Sequence, residues 1–326
     1  MERLDSLLTQ LQALERGLAV APLDGIGVLR VVGPDRCEAL HRVVSQDIRG
    51  IAAGDGRLAL LLAPKGQFRA LMAAFAAEDA IYLLAPPGKG EALATGLGKY
   101  LRFSHSRIES VPVARATALL GPDWSVVAAG LAAEPARLAR GGWSLGHDGD
   151  PLWFGQTLLG LPGAIVVSAD PAVAGAVDEQ LAAAGAVAVT AAAVELERIR
   201  VGWPAWGAEL SDTVLPPEVG VEKLAISYTK GCYVGQETIA RLATYGHPNR
   251  TLVAVRELSG GEVAPVLPLD LAGKEDARRR GSLTSWALHP QLGGVGLTLV
   301  RRDLAAPGTI LVGGPYTFEV APIPLW

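Results

Sequence analysis

The residues best suited to chemistry lie in one short segment, Lys230-Gly-Cys-Tyr-Val-Gly-Gln-Glu237. A helical pattern begins at its end and runs through Ile239 and Leu242, so Cys232 is predicted to lie in a tight loop near a helix start. Such a loop exposes unpaired backbone amides with a partial positive charge, and Lys230 adds a full one. The thiolate of Cys232 should therefore be favoured relative to a free cysteine, whose pKa is about 8.5. Cys232 and Lys230 are the candidate catalytic residues.

The segment is also compatible with other functions. A free cysteine is among the most buried residue types, so Cys232 could equally be a small core residue in a strand-to-helix turn. Nucleotide binding is not expected, because Gly231 and Gly235 lack the Lys-Ser/Thr ending of a P-loop and the dinucleotide-binding spacing. The five histidines are scattered, with no His-x-x-x-His or Cys-x-x-Cys spacing, so no metal site is expected. A cysteine–histidine pair stays open, with His247 nearest to Cys232 in sequence.

Composition predicts a folded protein of a reducing compartment. Half of the 326 residues are hydrophobic and 19% are charged. Two cysteines without a signal-like leader argue against a disulfide framework and predict a cytoplasmic location. Leucines recur at helical spacing between charged residues over residues 4–14, which predicts an amphipathic helix. No stretch approaches the roughly 20 apolar residues of a membrane helix, so no membrane partner is expected.

Charge argues against nucleic acid as a direct partner. The net charge of −4 gives no general attraction for polyanions, and only an indirect link to tRNA is left open. The strongest basic run, Arg278-Arg279-Arg280, directly follows Lys274-Glu275-Asp276. This mixed charge predicts a solvated turn between strands.

The elements that must position the cysteine predict an α+β fold. Three strand candidates separated by turn signals form a meander over residues 57–84. Helices are predicted over residues 91–100 and 171–184, and Thr190 is a candidate cap for a helix through Val201. These elements alternate without a regular βαβ rhythm, which favours α+β over a parallel sheet.

The pattern changes after about residue 246, where helical periodicity disappears. Five short strand-like runs follow, separated by Gly, Pro and charged residues, and they predict a small antiparallel barrel or sandwich. We therefore divide the chain into residues 1–245 and a C-terminal domain of residues 246–326.

The segment from Lys230 to Glu237, with Ala240-Arg241 after it, resembles the signature of the YgfZ family of folate-binding proteins. That family is related to the aminomethyltransferase, or T-protein, of the glycine cleavage system. The stretches Arg198-Ile-Arg-Val-Gly202 and Leu215-Pro-Pro-Glu218 are similar to the family's lead-in to the cysteine. The stretch Gly281-Ser-Leu-Thr-Ser285 is similar to the C-terminal domain shared with aminomethyltransferases.

The resemblance implies three subdomains around a central channel that holds tetrahydrofolate or another folate, the last being a small antiparallel β-barrel. A pterin ring presents an edge for paired hydrogen bonds and faces for aromatic contact, whereas the glutamate tail requires a cation. The residues near the motif that could supply these groups are Tyr228, Tyr233, Gln236, Glu237, Arg198 and Arg241.

Two departures from the aminomethyltransferase pattern bear on catalysis. The resemblance implies a catalytic carboxylate in the meander, but the matching stretch holds Arg69 and Ala70. Arg200 stands where a glutamate is expected beside a Gly-containing pair, and a guanidinium cannot accept hydrogen bonds from a pterin amino edge. Whether the protein is an enzyme is therefore left open.

Three functions follow as hypotheses from the resemblance. The first is a tetrahydrofolate-binding accessory protein in iron–sulfur cluster assembly or repair, with Cys232 as its active residue and iron–sulfur proteins as its partners. The second is a folate-dependent aminomethyl transferase or a tRNA-modification factor. The third is a scaffold that folate merely stabilises, because a ligand that binds only the native state stabilises it by mass action.

Overall fold

The computed structural model describes residues 2–146, 151–155, 157–260 and 263–325. Its helices are α1 (Glu2–Arg16), α2 (Arg36–His41), α3 (Gly90–Leu101), α4 (Trp124–Leu131), α5 (Pro135–Ala139), α6 (Pro171–Ala183), α7 (Ala191–Val201), α8 (Pro216–Val219), α9 (Glu222–Ala225) and α10 (Gln236–Tyr245). Its strands are β1 (Ala19–Pro22), β2 (Gly27–Val32), β3 (Gly56–Leu62), β4 (Phe68–Ala76), β5 (Ala80–Ala85), β6 (Arg107–Ser110), β7 (Arg115–Leu120), β8 (Trp143–Leu145), β9 (Leu152–Phe154), β10 (Gly163–Ser168), β11 (Val187–Ala188), β12 (Arg250–Glu257), β13 (Leu269–Gly273), β14 (Asp276–His289), β15 (Gly293–Arg301), β16 (Ile310–Gly313) and β17 (Tyr316–Ala321).

The strands form three sheets. A five-stranded antiparallel sheet has the order β3-β4-β5-β2-β6, and it is inserted in sequence between β1 and β7 of a six-stranded sheet with the order β11-β1-β7-β10-β9-β8. The six strands from β12 to β17 close into an antiparallel barrel. Closure leaves no free sheet edge among these six described strands. The fold is thus α+β with a C-terminal barrel.

One hydrophobic cluster joins the three parts. It combines side chains from both open sheets, such as Phe75 and Phe154, whose ring centroids are 4.8 Å apart, with Leu297 of the barrel. The motif contributes Tyr233 and Ile239 to the same cluster. Burial of apolar surface is the main favourable term in folding, so the position of the motif is coupled to the packing of all three parts.

The meander, the N-terminal helix and the later helices agree with the sequence predictions. The Thr190 side chain caps α7 by accepting a hydrogen bond from the Ala193 amide at 3.4 Å. The five strand-like runs of the C-terminal region lie in β12, β14, β15, β16 and β17. The division at residue 246 stays a prediction.

Two predictions about the barrel need correction. The strand β13 was missed, because its sequence Leu-Asp-Leu-Ala-Gly is short and contains residues that are uncommon in strands. The arginine run at residues 278–280 was predicted as a turn, but it lies within β14, and the turn falls at Lys274 and Glu275. No helix of the described residues has the length and apolar character that crossing a membrane requires.

Candidate functional site

Lys230 anchors the motif loop, defined here as residues 230–237. Its ammonium is buried and donates hydrogen bonds to the backbone carbonyls of His41, Val44 at 2.6 Å and Gln46 at 3.2 Å. These carbonyls lie at the end of α2 and just beyond it, where backbone acceptors lack helical partners. Burial lowers the pKa of Lys230 to about 8. The ammonium is thus directed into the protein, and the predicted catalytic role of Lys230 stays a prediction.

Two glycines allow the loop to lie against the β3–β4 turn. Gly235 precedes α10 with a φ of 82°, and a Cβ there would lie 2.4 Å from the Ala63 carbonyl oxygen. Gly66 has a φ of 88°, and a Cβ there would lie 3.2 Å from Cβ of Thr238. Both positions combine the left-handed conformation with a close contact, so only glycine fits without strain.

Tyr233 fixes the middle of the loop. Its side chain is buried, its amide donates to the Gln236 side-chain oxygen at 3.3 Å, and its ring centroid lies 5.1 Å from Nζ of Lys230. Burial, followed by the nearby phenol of Tyr228, raises the pKa of Tyr233 to about 12. Tyr233 is therefore a neutral side chain that holds the loop, and its predicted contact with a ligand would need a rearrangement of this packing.

Cys232 lies between these anchors with an exposed side chain. This exposure contradicts the alternative of a small buried core residue. Its neighbour Gly231 does not have a left-handed φ, and a Cβ there would meet nothing within 4 Å. Packing therefore explains Lys230, Tyr233 and Gly235, whereas it explains neither Gly231 nor Cys232.

Tyr228 lies beside the loop and is 52% exposed. Burial, followed by the charge of Glu222, raises the pKa of Tyr228. The Glu222 carboxyl has one oxygen, Oε2, that is buried without a hydrogen-bond partner among the described residues, and burial raises the pKa of Glu222. Tyr228 thus offers a half-exposed phenol near a carboxyl group that resists ionisation.

Glu237 and Arg241 of α10 are the most exposed of the predicted folate contacts. Glu237 and Arg241 form an ion pair at 3.1 Å on the helix surface, with 86% and 73% of their side chains exposed. Such pairs contribute little to stability, so both groups are free to exchange partners at small cost. Gln236 is half-buried and holds the Tyr233 amide.

Arg198 lies in a different environment from the other predicted contacts. It is buried and uses its five N–H groups on Glu195, Glu209, Ser285 and the carbonyl of Trp203. Burial alone would lower its pKa, but hydrogen bonds and charge from Glu195 and Glu209 raise the pKa of Arg198 above its ordinary value. A ligand at this guanidinium would have to displace a protein partner.

The partners of Arg198 connect α7 to the barrel. Glu209 is fully buried, and its Oε1 accepts hydrogen bonds from Thr284 at 2.6 Å and Ser285 at 2.7 Å. Glu218 makes a second connection, because Arg250 donates to its two oxygens at 2.8 and 2.9 Å. The stretches that resemble the family lead-in and C-terminal domain therefore meet through the hydrogen bond that Arg198 donates to Ser285 at 2.6 Å. Glu209 was missed because its sequence context carries no motif.

The two arginines at the departures from the aminomethyltransferase pattern lie apart. Arg200 pairs with the buried carboxylate of Glu197, and the hydrogen bond that it donates to Glu197, opposed by burial, raises the pKa of Arg200. Arg69 is exposed on β4 and lines a groove. Arg200 therefore compensates a buried acid of its own helix, whereas Arg69 faces solvent and a ligand-sized space.

That groove lies between α3 and the β3–β4 hairpin and has a volume of about 810 Å³. Leu62 and Ala63 form one wall, and the same two residues contact Gly235 of the motif loop. Polar groups along it are Arg69, Glu91, Thr95, Lys99 and Tyr100. The residues of α3 were missed in the sequence, where the signal would have been polar side chains at positions 91, 95 and 99, one helical turn apart.

Two further chemistries can be judged from the described residues. The pattern Gly142-Trp-Ser-Leu-Gly146 matches a hydrolase nucleophile motif, but Ser144 is buried in β8 and its hydroxyl binds the Leu145 carbonyl at 2.9 Å. The strand-to-helix turn that exposes such a serine is lacking at this position. Among the described residues no group of three or more His, Cys, Asp and Glu side chains could hold a metal, and His147 lies outside them.

Comparisons with known proteins bear on the resemblance. The chain is 28% identical over 334 residues to a putative chloroplastic transferase of Arabidopsis thaliana, covering 99% of this chain and 75% of the relative. It is 23% identical over 324 residues to the tRNA-modifying protein YgfZ of Cronobacter sakazakii, covering 94% and 93%. It is 30% identical over 190 residues to an aminomethyltransferase of Streptomyces avermitilis, covering 56% of this chain and 46% of the relative. No family model matches the chain.

A solved structure confirms the fold. The aminomethyltransferase T of the glycine cleavage system from Bartonella henselae superposes with a TM-score of 0.83 at 16% identity, covering 98% of this chain and 89% of that chain. The sequence relatives and this structure confirm the relation to YgfZ and to the T-protein that the motif predicted.

Proposed function

We propose that this relative of YgfZ and of the aminomethyltransferases is a folate-binding accessory protein in iron–sulfur cluster assembly or repair, with the Cys232 thiol as its active group. The observation that carries the proposal is the exposure of Cys232 in a loop that Lys230, Tyr233 and Gly235 hold by buried contacts. A loop that is fixed by buried contacts and exposes one thiol is well suited to contact a partner protein. Cysteine thiolates are both the ligands of iron–sulfur clusters and nucleophiles in thiol exchange.

Folate binding is supported by the relatives named aminomethyltransferase and by a groove of suitable size next to the motif. The groove combines apolar walls with a few polar groups, as small-molecule sites do. Three predicted folate contacts near the same loop have exposed side chains and are accessible to a ligand: Tyr228, Glu237 and Arg241.

A folate-dependent one-carbon transferase, or a tRNA-modification factor, is the competing function, since relatives bear such names. The residues of this chain argue against the transferase. A carboxylate near the reacting nitrogen would stabilise a developing positive charge. Arg69 and Ala70 stand in the stretch where the resemblance implies an acid, and Arg200 is paired with Glu197.

The role of the thiol is tested by complementation. In a strain that lacks the gene, a Cys232→Ser variant should fold and bind folate normally yet fail to restore the activity of iron–sulfur enzymes. Cys37→Ser is the matched control, because Cys37 is half-buried against the core of the five-stranded sheet and should retain function. Full rescue by Cys232→Ser would refute the proposed role of the thiol.

Ligand identity is tested by calorimetric titration with tetrahydrofolate and with a non-pterin control. We expect heat of binding and a rise in melting temperature with tetrahydrofolate only. Absence of both signals contradicts folate binding. Turnover is tested separately by supplying tetrahydrofolate and an aminomethyl donor, and formation of methylene-tetrahydrofolate above background would favour the transferase instead.

A further inference from the structure

The segment between α2 and β3 holds the chain that leads into the motif loop. The Ser45 hydroxyl donates a hydrogen bond to the Ala225 carbonyl at 2.5 Å, and the Ser45 carbonyl accepts one from the Ser227 amide at 3.0 Å. Beside it, the Gln46 side-chain amide donates to the Leu224 carbonyl at 3.1 Å. The lead-in to the motif is therefore fixed by a segment 180 residues away in sequence.

Ser45 is also joined to an edge of the five-stranded sheet. Its amide donates to the Leu60 carbonyl at 2.9 Å, and its hydroxyl accepts from the Leu60 amide at 2.9 Å. Leu60 lies in β3, an edge strand, and Ser45 is fully buried. A serine hydroxyl has one donor hydrogen and accepts at its oxygen, so both functions are in use. Ser45 thus connects the sheet edge with the lead-in of the motif.

The anchor of the motif loop depends on the same backbone. The Lys230 ammonium donates to the carbonyls of Val44 and Gln46 at 2.6 and 3.2 Å, and these are the residues directly before and after Ser45. The bonds between Ser45 and β3 therefore also set the position of the acceptors that hold Lys230. Cys232 follows two residues later, so the backbone that exposes the thiol starts at this anchor.

A purely structural role explains only part of this arrangement. The bonds to Leu60 are enough to attach the segment to β3. They do not account for the bonds to Ala225 and Ser227, which belong to the lead-in of the motif. An alanine at position 45 would leave the Leu60 amide and the Ala225 carbonyl without their side-chain partner, and an unsatisfied buried group is costly.

We propose that Ser45 is a positioning residue for the Cys232 thiol, acting through the Ala225 carbonyl and the backbone that holds Lys230. This inference rests on the proposed function, in which the thiol must meet a sulfur or iron atom of a partner protein. A reacting group acts faster when its position is fixed before its partner arrives. Gln46 contributes in the same way and with a smaller effect, because its side chain is only half-buried.

The test places a nitroxide spin label on Cys232. Cys37→Ser removes the other of the two cysteines, so the label reports residue 232 alone. In Ser45→Ala the spectrum should shift towards faster motion of the label, and the Tyr233 amide should exchange with solvent about fivefold faster. Gln46→Ala should give the same changes to a smaller degree, so the inference is tested even if Ser45→Ala does not fold.

The matched control is Thr298→Ala in the barrel. The Thr298 hydroxyl is also fully buried and donates to a backbone carbonyl, that of Ser282, at 2.7 Å. This variant should lower the melting temperature, as Ser45→Ala does, and leave the label and the loop amide unchanged. Signals that stay at the Cys37→Ser background in both Ser45→Ala and Gln46→Ala, or that change equally in Thr298→Ala, overturn the positioning role.

Complementation separates this inference from the proposed function. In the strain that lacks the gene, Ser45→Ala should lose the iron–sulfur enzyme activity that Thr298→Ala retains. Retained activity in Ser45→Ala, with Cys232→Ser inactive, overturns the positioning role and leaves the role of the thiol in place. If Cys232→Ser is fully active instead, the proposed function fails, and the spin label alone decides whether Ser45 positions residue 232.

Discussion

Arg198 and its partners Glu195, Glu209 and Ser285 form a second polar region, called here the Arg198 cluster. The motif loop and the Arg198 cluster both contain residues that the sequence predicted to contact a ligand, yet their polar groups have different partners. In the cluster every N–H of Arg198 has a protein partner, and Glu209 is fully buried. In the loop Lys230 and Tyr233 are held in the interior while Cys232 remains exposed. The difference teaches that a charged residue near a motif can serve the assembly of the fold, whereas an exposed group that packing does not require is the better functional candidate.

The largest expected effect comes from breaking the Arg198 cluster. Arg198→Met leaves the Glu209 carboxylate buried without its cation, and such changes cost about 3 to 5 kcal/mol in the free energy of unfolding. Urea denaturation measures this cost. Arg241→Ala removes an exposed arginine and should change the stability by no more than about 0.5 kcal/mol. Similar values for the two variants would remove the distinction between the regions.

The next effect is a pH dependence that belongs to Lys230. Its pKa falls from 10.5 to about 8 on folding, so between these values the unfolded chain binds more protons and stability rises with pH. Relative to Lys230→Met, the wild-type chain should gain up to about 3 kcal/mol from pH 8 to pH 10.5. Below pH 8 the difference between the two proteins should be constant. Unfolding measured across this range checks the sign, and a difference that falls with pH contradicts the buried ammonium.

A smaller effect separates the two glycines of the loop. Gly235→Ala places a Cβ against the Ala63 carbonyl in a left-handed conformation and should destabilise the protein by about 2 kcal/mol or more. Gly231→Ala meets no atom within 4 Å and should cost no more than about 0.5 kcal/mol. Thermal unfolding of the pair tests whether the loop is held at Gly235. If Gly231→Ala alone impaired complementation, the backbone beside Cys232 would be part of the active surface.

The smallest effect on stability is expected at Cys232 itself. Because its side chain is exposed, Cys232→Ser should alter the free energy of unfolding by no more than about 0.5 kcal/mol. The same variant is expected to abolish complementation, so stability and function separate at this one position. A stability loss comparable to that of Gly235→Ala would instead assign Cys232 to packing.

Much of the architecture could be read from local patterns. The meander, the capped helix α7 and most strands of the barrel followed from turn residues and apolar periodicity, because these depend on neighbours in sequence. The strand β13 and the position of the arginine run within β14 were not predicted, because they depend on the pairing of one strand with another. The insertion of the five-stranded sheet between β1 and β7 carries no local signal either.

The sequence by itself determined the relation to YgfZ and the T-protein and singled out Cys232 as the candidate reactive group, because the eight residues of the motif form a specific string around one cysteine. Only the tertiary structure decided which of its neighbours are available. Burial takes Lys230, Tyr233 and Arg198 out of solvent, and the hydrogen bonds of Lys230 and Arg198 go to protein groups, whereas Cys232 remains exposed. The physical reason is that hydrogen-bond saturation depends on groups brought together from distant parts of the chain, such as Lys230 with His41 and Arg198 with Ser285.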